Sequence, residues 1–430
     1  MVDSQRKFGD GVYLPRIADD EVIARLGYSG AVLIEGARAC GKTATALQHA
    51  KSEILLDGSR DVREVAELEP SHALAGARPR LIDEWQLVPS LWNAARRIID
   101  DDQGLGLFIF TGSAAPTDDV TRHSGAGRFS RLRMRPMSVF EAGLGVANVS
   151  LAELFAGGPV SGNDSGRQFS DIIECVCRGG FPAHRNLSLD QAMQRMLDYV
   201  HEIELTDVRR PDGVRRDPVR VAAVISALSR NVATEVTIKT LNQDAAGFTG
   251  LDSMSVETTV GCLTALTRIM IVENQQAWRP HLRSRARIRV APKRHFVDPA
   301  IAVAALGARP DDLRDDIRFM GLLFESMVIR DLRILSSPLG GEVSHYRDSV
   351  GLEVDAIVTI GYQRWAAFEV KLAATGPMIE KAAANLLKLA ADVDSQVAGR
   401  PKALVIITGS GYAYTRPDGV SVVPIWNLAP

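Results

Sequence analysis

The apolar positions of this chain follow two rhythms. Ala31-Val32-Leu33-Ile34, Leu81-Ile82 and Leu107-Phe108-Ile109-Phe110 are short unbroken runs, each closed by small or polar residues. Such runs predict strands buried on both faces, as in a parallel sheet covered by helices. Gly351 to Val358 and Ala366 to Leu372 instead alternate, as half-buried strands do, and a turn around Tyr362 would pair them. Between these regions the period lengthens. Gln191 to Asp207 carries Met193, Met196, Leu197, Val200, Ile203 and Leu205 on one helical face. Val221 to Arg230, Ile238 to Ala245 and Ser255 to Thr267 predict three helices, and Ile269 to Trp278 with Ile288 to Val297 two strands. That succession suggests a winged helix-turn-helix. Residues 145–170 are rich in Gly, Ser, Pro and Asn and read as a loop-rich junction. The divisions expected are an α/β core over 1–150, a helical connector over 151–216, a winged helix over 217–297 and a second α/β domain over 298–430.

The first run leads into Gly36-Ala37-Arg38-Ala39-Cys40-Gly41-Lys42-Thr43-Ala44. This fits G-x-x-x-x-G-K-[ST], with a strand before it and a helix predicted from Thr43 to Ser52. The glycines let backbone N–H groups curl around phosphate oxygens. Lys42 reaches the β- and γ-phosphates, Thr43 ligates Mg²⁺, and the helix N-terminus faces the anion. ATP and Mg²⁺ are the expected cofactors. The second run ends in Asp83-Glu84: Asp83 would hold Mg²⁺ beside Thr43, and Glu84 would polarise the attacking water. The third ends in Thr111-Gly112-Ser113, where Thr111 and Ser113 are candidates for contact with the γ-phosphate and lytic water. Of Arg122, Arg128, Arg131, Arg133 and Arg135, any one could serve as an arginine finger. Arg128, beside Gly125-Ala126-Gly127, is the favoured candidate.

Composition narrows the setting. The 430 residues carry a formal charge of −2, so a nucleic-acid surface would have to be local. Four cysteines (Cys40, Cys175, Cys177 and Cys262) suit reduced thiols rather than a disulfide scaffold. Cys40 reads as a small filler residue, with a reactive thiol as the alternative. The polar N-terminus carries no signal-peptide pattern and no apolar run could span a bilayer, so a cytoplasmic protein is expected. A further basic concentration is Arg279, Arg283, Arg285, Arg287 and Arg289, five arginines in eleven positions, with Lys293 and Arg294 beyond. It suits a wing that touches DNA or RNA phosphates. The presumed recognition helix, Ser255 to Val260, offers no Arg, Lys, Asn or Gln for base edges, so sequence-specific readout is not expected. Non-specific contact and packing against another protein segment both remain open, as does a homo-oligomer.

In the alternating hairpin, a turn at Tyr362 sets Asp355 opposite Glu369 and Glu353 opposite Lys371, all on one face. Opposed carboxylates need a cation between them. The pattern resembles the metal site of PD-(D/E)xK nucleases, where a carboxylate is followed by Glu-x-Lys on the next strand. That resemblance implies Mg²⁺ on Asp355 and Glu369, Lys371 assisting water or phosphate, and Glu325 as a third carboxylate from a preceding helix. The bland alternative is an ordinary Glu353–Lys371 ion pair. Val354 stands where the signature has Pro.

Taken together, Tyr13 to Arg16, Gly36 to Thr43, Leu81 to Gln86 with Pro89, Leu107 to Ser113, Gly127-Arg128, Arg135 to Glu141, Arg178 to Pro182, Phe296 to Pro299 and Glu369 to Lys371 resemble a known group. The group is the bacterial and archaeal AAA+-type ATPases with a C-terminal domain long described as of unknown function. The resemblance implies an AAA+-like P-loop NTPase core, a winged-helix segment and a restriction-endonuclease-like α/β domain. Ala37 departs from the group's usual Pro, and Trp85 from a smaller apolar residue.

Overall fold

The computed structural model describes residues 13–113, 125–206, 208, 214–249, 254–280 and 291–430. The chain divides into two compact units, one formed chiefly by residues up to Pro136, the other chiefly by Met137–Pro430.

The first unit contains β1 (Ala31–Glu35), β2 (Ser52–Leu55), β3 (Arg80–Asp83), β4 (Phe108–Gly112) and β5 (Phe129–Arg133), with α1 (Ile17–Leu26), α2 (Lys42–His49), α3 (Arg60–Leu68), α4 (Pro70–Ala73) and α5 (Ser90–Asp102). The strands form one parallel sheet in the order β2-β3-β4-β1-β5. Because side chains alternate, β1 divides its apolar run between two cores. Ala31 and Leu33 join one cluster, with Phe108, Phe110, Trp85 and Trp92; Val32 and Ile34 join the other, with Leu81 and Ile109. Both are fully buried, which is why the sequence shows an unbroken run. Trp85 is buried against Trp92, with ring centroids 4.8 Å apart. This indole fills core volume.

The second unit contains β6 (Val149–Ser150), α6 (Leu151–Ala156), β7 (Ser161–Gly162), α7 (Phe169–Arg178), α8 (Leu189–Leu205), α9 (Pro218–Arg230), α10 (Ile238–Thr249), α11 (Val256–Arg268), β8 (Val272–Gln275), β9 (Lys293–Phe296), α12 (Ala300–Ala305), α13 (Pro310–Asp315) and α14 (Ile317–Ser336). It continues with β10 (Gly341–Arg347), β11 (Glu353–Ile360), β12 (Trp365–Lys371), α15 (Gly376–Asp392), α16 (Ser395–Ala398), β13 (Leu404–Thr408), β14 (Ala413–Thr415), β15 (Ser421–Pro424) and β16 (Leu428–Ala429). A mixed sheet runs β10-β11-β12-β13-β15-β14-β7. Its β10-β11-β12 meander is antiparallel, and α15 crosses over to the parallel β13. α15 keeps Ile379, Ala382, Ala383 and Leu386 against the sheet at helical spacing, with Trp365 and Ile406 in the same core. β8 and β9 form an antiparallel pair after three helices.

Two expectations change here. Residues 145–170 are more than a loop: α6 is capped by Ser150, and β6 and β7 pair with β16 and β14. Two-residue strands are too short to produce a pattern. β9 is also buried at all four positions, although it follows the arginine-rich stretch read as a phosphate-contacting wing. Arg283, Arg285, Arg287 and Arg289 lie outside the described residues, as does Arg122.

Val139, Gly180 and Asp298, from three of the runs named above, meet at one buried joint on α14. The Arg330 guanidinium pairs with Asp298 and Asp331 at 2.7 and 2.8 Å. Asp298 also accepts from the Gly180 N–H, and Asp331 from the Val139 N–H, both at 2.8 Å. Arg330, Asp298 and Asp331 are essentially fully buried. Buried charges survive only when paired and hydrogen-bonded, so this residue set is tightly constrained for structural reasons.

Candidate functional site

The phosphate loop leaves β1 at Glu35 and enters α2 at Lys42. Gly41 adopts φ 107°, a left-handed turn that favours glycine. At Gly36 a Cβ would lie 2.2 Å from the Met134 carbonyl oxygen, so only glycine fits. Two upstream residues hold the loop in place. Arg16 donates to the carbonyls of Cys40 and Arg135, at 3.0 and 2.8 Å. The Tyr13 hydroxyl bonds Asp19 and Thr45. Sequence reasoning missed both roles. Cys40 is fully buried, with its thiol 3.8 Å from the Met134 carbonyl, as suits a filler.

Lys42 is buried, and its ammonium donates to the neutral Ala37 carbonyl at 3.0 Å. Among the described residues it enters no ion pair. Thr43 donates to Asp83 at 2.8 Å, and Thr111 donates to the same oxygen. The Thr111 hydroxyl also accepts from the Glu84 N–H. Strand order explains the meeting: β4 lies between β1 and β3, so Thr111 ends beside both Thr43 and Asp83. Thr111 thus links Asp83 to the Glu84 backbone. Burial pushes the Asp83 carboxyl up, against the hydrogen bonds from Thr111 and Thr43. Glu84 has φ 52°, a left-handed conformation that a non-glycine residue rarely keeps. Its carboxylate accepts from Ser113 at 2.9 Å and from the Gln86 amide.

Arg128 stands at the wrong end of the sheet to serve this loop in cis. Its carbonyl accepts from the Ala31 N–H, at the start of β1, whereas the loop follows the end of that strand. A five-residue strand separates the two by about 16 Å. The Arg128 side chain instead pairs with Asp100 at 2.7 Å. The parallel register brings Arg133, at the other end of β5, opposite Glu35.

A second charged cluster lies in the second unit. The Val370 N–H donates to Asp355 at 2.8 Å, consistent with the Asp355–Glu369 register expected of the hairpin. Lys371 bridges the two carboxylates, 3.2 Å from Asp355 and 2.5 Å from Glu369. Asn385 on α15 donates to the other Glu369 oxygen at 3.0 Å. Glu353 does not pair with Lys371, as the bland alternative held. Its partner is Lys293, at 2.9 Å, which also lies 2.8 Å from Glu325 and 3.7 Å from Asp355. Lys293, just beyond the arginine-rich stretch, is 3% exposed. Arg294 is likewise buried, bonded to Asn274. Gln275 docks the β8–β9 pair by donating to the Asp355 carbonyl and bonding His295, whose other ring nitrogen meets Ser326.

Four carboxylates here face two ammonium groups. Burial, then the neighbouring Asp355 charge, pushes both Glu325 and Glu369 up. Burial opposes the Lys293 charge, but Glu325, Asp355 and Glu353 overcome it and hold the ammonium well above its ordinary range. Among the described residues, no group of three or more His, Cys, Asp or Glu is arranged to hold a metal ion.

Comparison with known proteins supports the first unit best. Residues 28–143 match a family model described as an AAA domain. Residues 169–312 and 320–428 match two models, each described as a domain of unknown function (DUF8612 and DUF4143). No curated protein matches. Among solved structures, the Walker-type ATPase paby2304 of Pyrococcus abyssi is similar at 14% identity and TM-score 0.40, over 68% of this chain and 96% of that one. The ORC2 protein of Aeropyrum pernix, in its ADPNP–ADP complexes, gives 12% and 0.28 over 74% and 99%. The ORC1 protein of Aeropyrum pernix in complex with DNA gives 16% and 0.26 over 74% and 98%. At those scores the likenesses carry no argument about activity. The parallel sheet, the loop and the AAA match together make the first unit an AAA-type P-loop domain. No described helix is long and apolar enough to cross a membrane.

Proposed function

We propose that the first unit binds ATP and hydrolyses its γ-phosphate. The observation that carries this is the Lys42 ammonium, buried against a neutral carbonyl at a helix N-terminus. A buried cation without a countercharge is costly, and a phosphate relieves that cost. The hard oxygen donors of Thr43 and Asp83, already hydrogen-bonded together, suit Mg²⁺. Such an ion would neutralise charge developing on the phosphate oxygens. Thr111 fixes Asp83 for that contact. Glu84, held by Ser113 and Gln86, takes the proton of the attacking water. The test pairs a nucleotide-binding assay with an ATPase assay on Glu84→Gln. Retained binding with lost turnover supports the assignment; unchanged turnover overturns it.

The second unit reads as a binding module rather than a cutter. Its α14-β10-β11-β12-α15-β13 succession supports a restriction-endonuclease-like fold, and α9, α10, α11 and the β8–β9 pair support a winged-helix ancestry. Mg²⁺ does not fit its carboxylates, because Lys293 lies among them. The arginines of residues 279–289 favour nucleic acid as the partner, gated by the ATP state. Salt-dependent retention of plasmid or single-stranded DNA, without Mg²⁺- or Mn²⁺-dependent nicking, is the expected result. Nicking lost in Lys371→Ala would overturn it. Arg128 could reach a nucleotide only in a neighbouring copy; a solution mass that rises with an ATP analogue would place it there.

A further inference from the structure

We propose that Lys293 is a resident cation of the second cluster, its ammonium filling the space among Glu325, Glu353 and Asp355 that a divalent metal would otherwise enter. Three observations converge on it. The first is geometry. The ammonium lies 2.8 Å from Glu325, 2.9 Å from Glu353 and 3.7 Å from Asp355. These residues come from α14 and β11, and a lysine ammonium carries three donors. The second is enclosure. Lys293 is 3% exposed, on a strand clamped by the Gln275–His295–Ser326 chain, so it cannot swing out without undocking β9. The third is the division of Asp355. One of its oxygens faces Lys293 and the other bonds Lys371 and the Val370 N–H. Only one Asp355 oxygen therefore faces the space that Lys293 fills. Oxygens gathered at ammonium distances are also too widely spaced for Mg²⁺, which requires about 2.1 Å.

The site is therefore built from the carboxylates of a metal centre and closed by its own chain. Removing the ammonium should reopen it to divalent cations. This inference rests on the restriction-endonuclease-like reading of the second unit, not on ATP turnover. Its test uses Mn²⁺ alone, on full-length protein without nucleotide, with bound ion counted by electron paramagnetic resonance. Wild type should bind no Mn²⁺ that Asp355→Asn removes. Lys293→Met should gain about one equivalent, as a carboxylate-lined cation site would. Lys293→Met/Asp355→Asn should lose it again, and Mn²⁺ should raise the melting temperature of Lys293→Met but not of wild type. A folded Lys293→Met that gains no Mn²⁺ would overturn the proposal. Should Lys293→Met not fold, Thr43→Ala decides: with the phosphate loop lacking its hydroxyl ligand, bound Mn²⁺ near zero supports the proposal, and a full equivalent defeats it. Failure of the ATPase reading would leave each of these outcomes unchanged.

Discussion

Each unit sets a buried lysine near carboxylates at strand ends, yet the two sites are opposites. Lys42 donates to a neutral carbonyl, while Asp83 is occupied with Thr43 and Thr111. Lys293 is enclosed by three carboxylates, and Lys371 spans two more contacts. The first site keeps an unspent positive charge and a left-handed glutamate held by hydroxyl and amide donors. The second has discharged every cation internally. The difference teaches that residue types alone do not define a reactive centre; the state of charge compensation does.

The strongest way to break the contrast is Lys42→Ala. It should lower ATP affinity by about 100-fold, the scale expected for one charge-assisted donor, in an equilibrium binding assay. Glu84→Gln should leave affinity near wild type and reduce kcat by about 100-fold or more, measured by phosphate release. On the other side, Arg330→Ala should destabilise the second unit by about 3–5 kcal/mol in chemical denaturation, since Asp298 and Asp331 would be left buried and uncompensated. ATP binding by the first unit should persist at temperatures where the variant retains its fold.

A pH series sharpens the second site. Glu325 is raised from 4.5 to about 8 by burial and by Asp355, so the folded state holds a proton that the unfolded chain releases. The stability this contributes is complete below pH 4.5 and is lost as pH rises towards 8. The melting temperature of wild type should fall over that interval, and Glu325→Gln should flatten the decline. The smallest effect is expected for Arg128→Ala. Its exposed pair with Asp100 contributes roughly 0–1 kcal/mol, and single-copy ATP turnover should change less than about twofold.

Much of the first site could be read from the sequence because its residues sit in local runs. The loop, Asp83-Glu84 and Thr111-Gly112-Ser113 each punctuate an apolar strand, and strand order brings them together. Arg16 and Tyr13 left no such signal; their contacts to the loop, α2 and Arg135 span 24 to 119 residues and rest on carbonyls and a hydroxyl. The hairpin face was legible because alternation fixes register once the turn is centred. Lys293 was not. Its neighbourhood is arginine-rich, and an isolated basic strand looks solvent-facing until a helix with Ser326 is packed on it. The one available clue was Glu325, a carboxylate in an apolar helical stripe that required some partner.

The strands β6 and β7 carry a consequence for biosynthesis. They are completed by β16 and β14, and Ser150 donates to the Pro430 carbonyl at 2.6 Å across 280 residues of chain. Residues 149–162 must therefore wait until β14 and β16 have been made before their edges are covered. The P-loop sheet needs nothing beyond Arg133 to pair its five strands and can close early on the ribosome. The nascent chain thus passes through a stage in which a closed P-loop sheet precedes second-unit strands with open edges, the stage at which chaperone capture or mispairing would act on it.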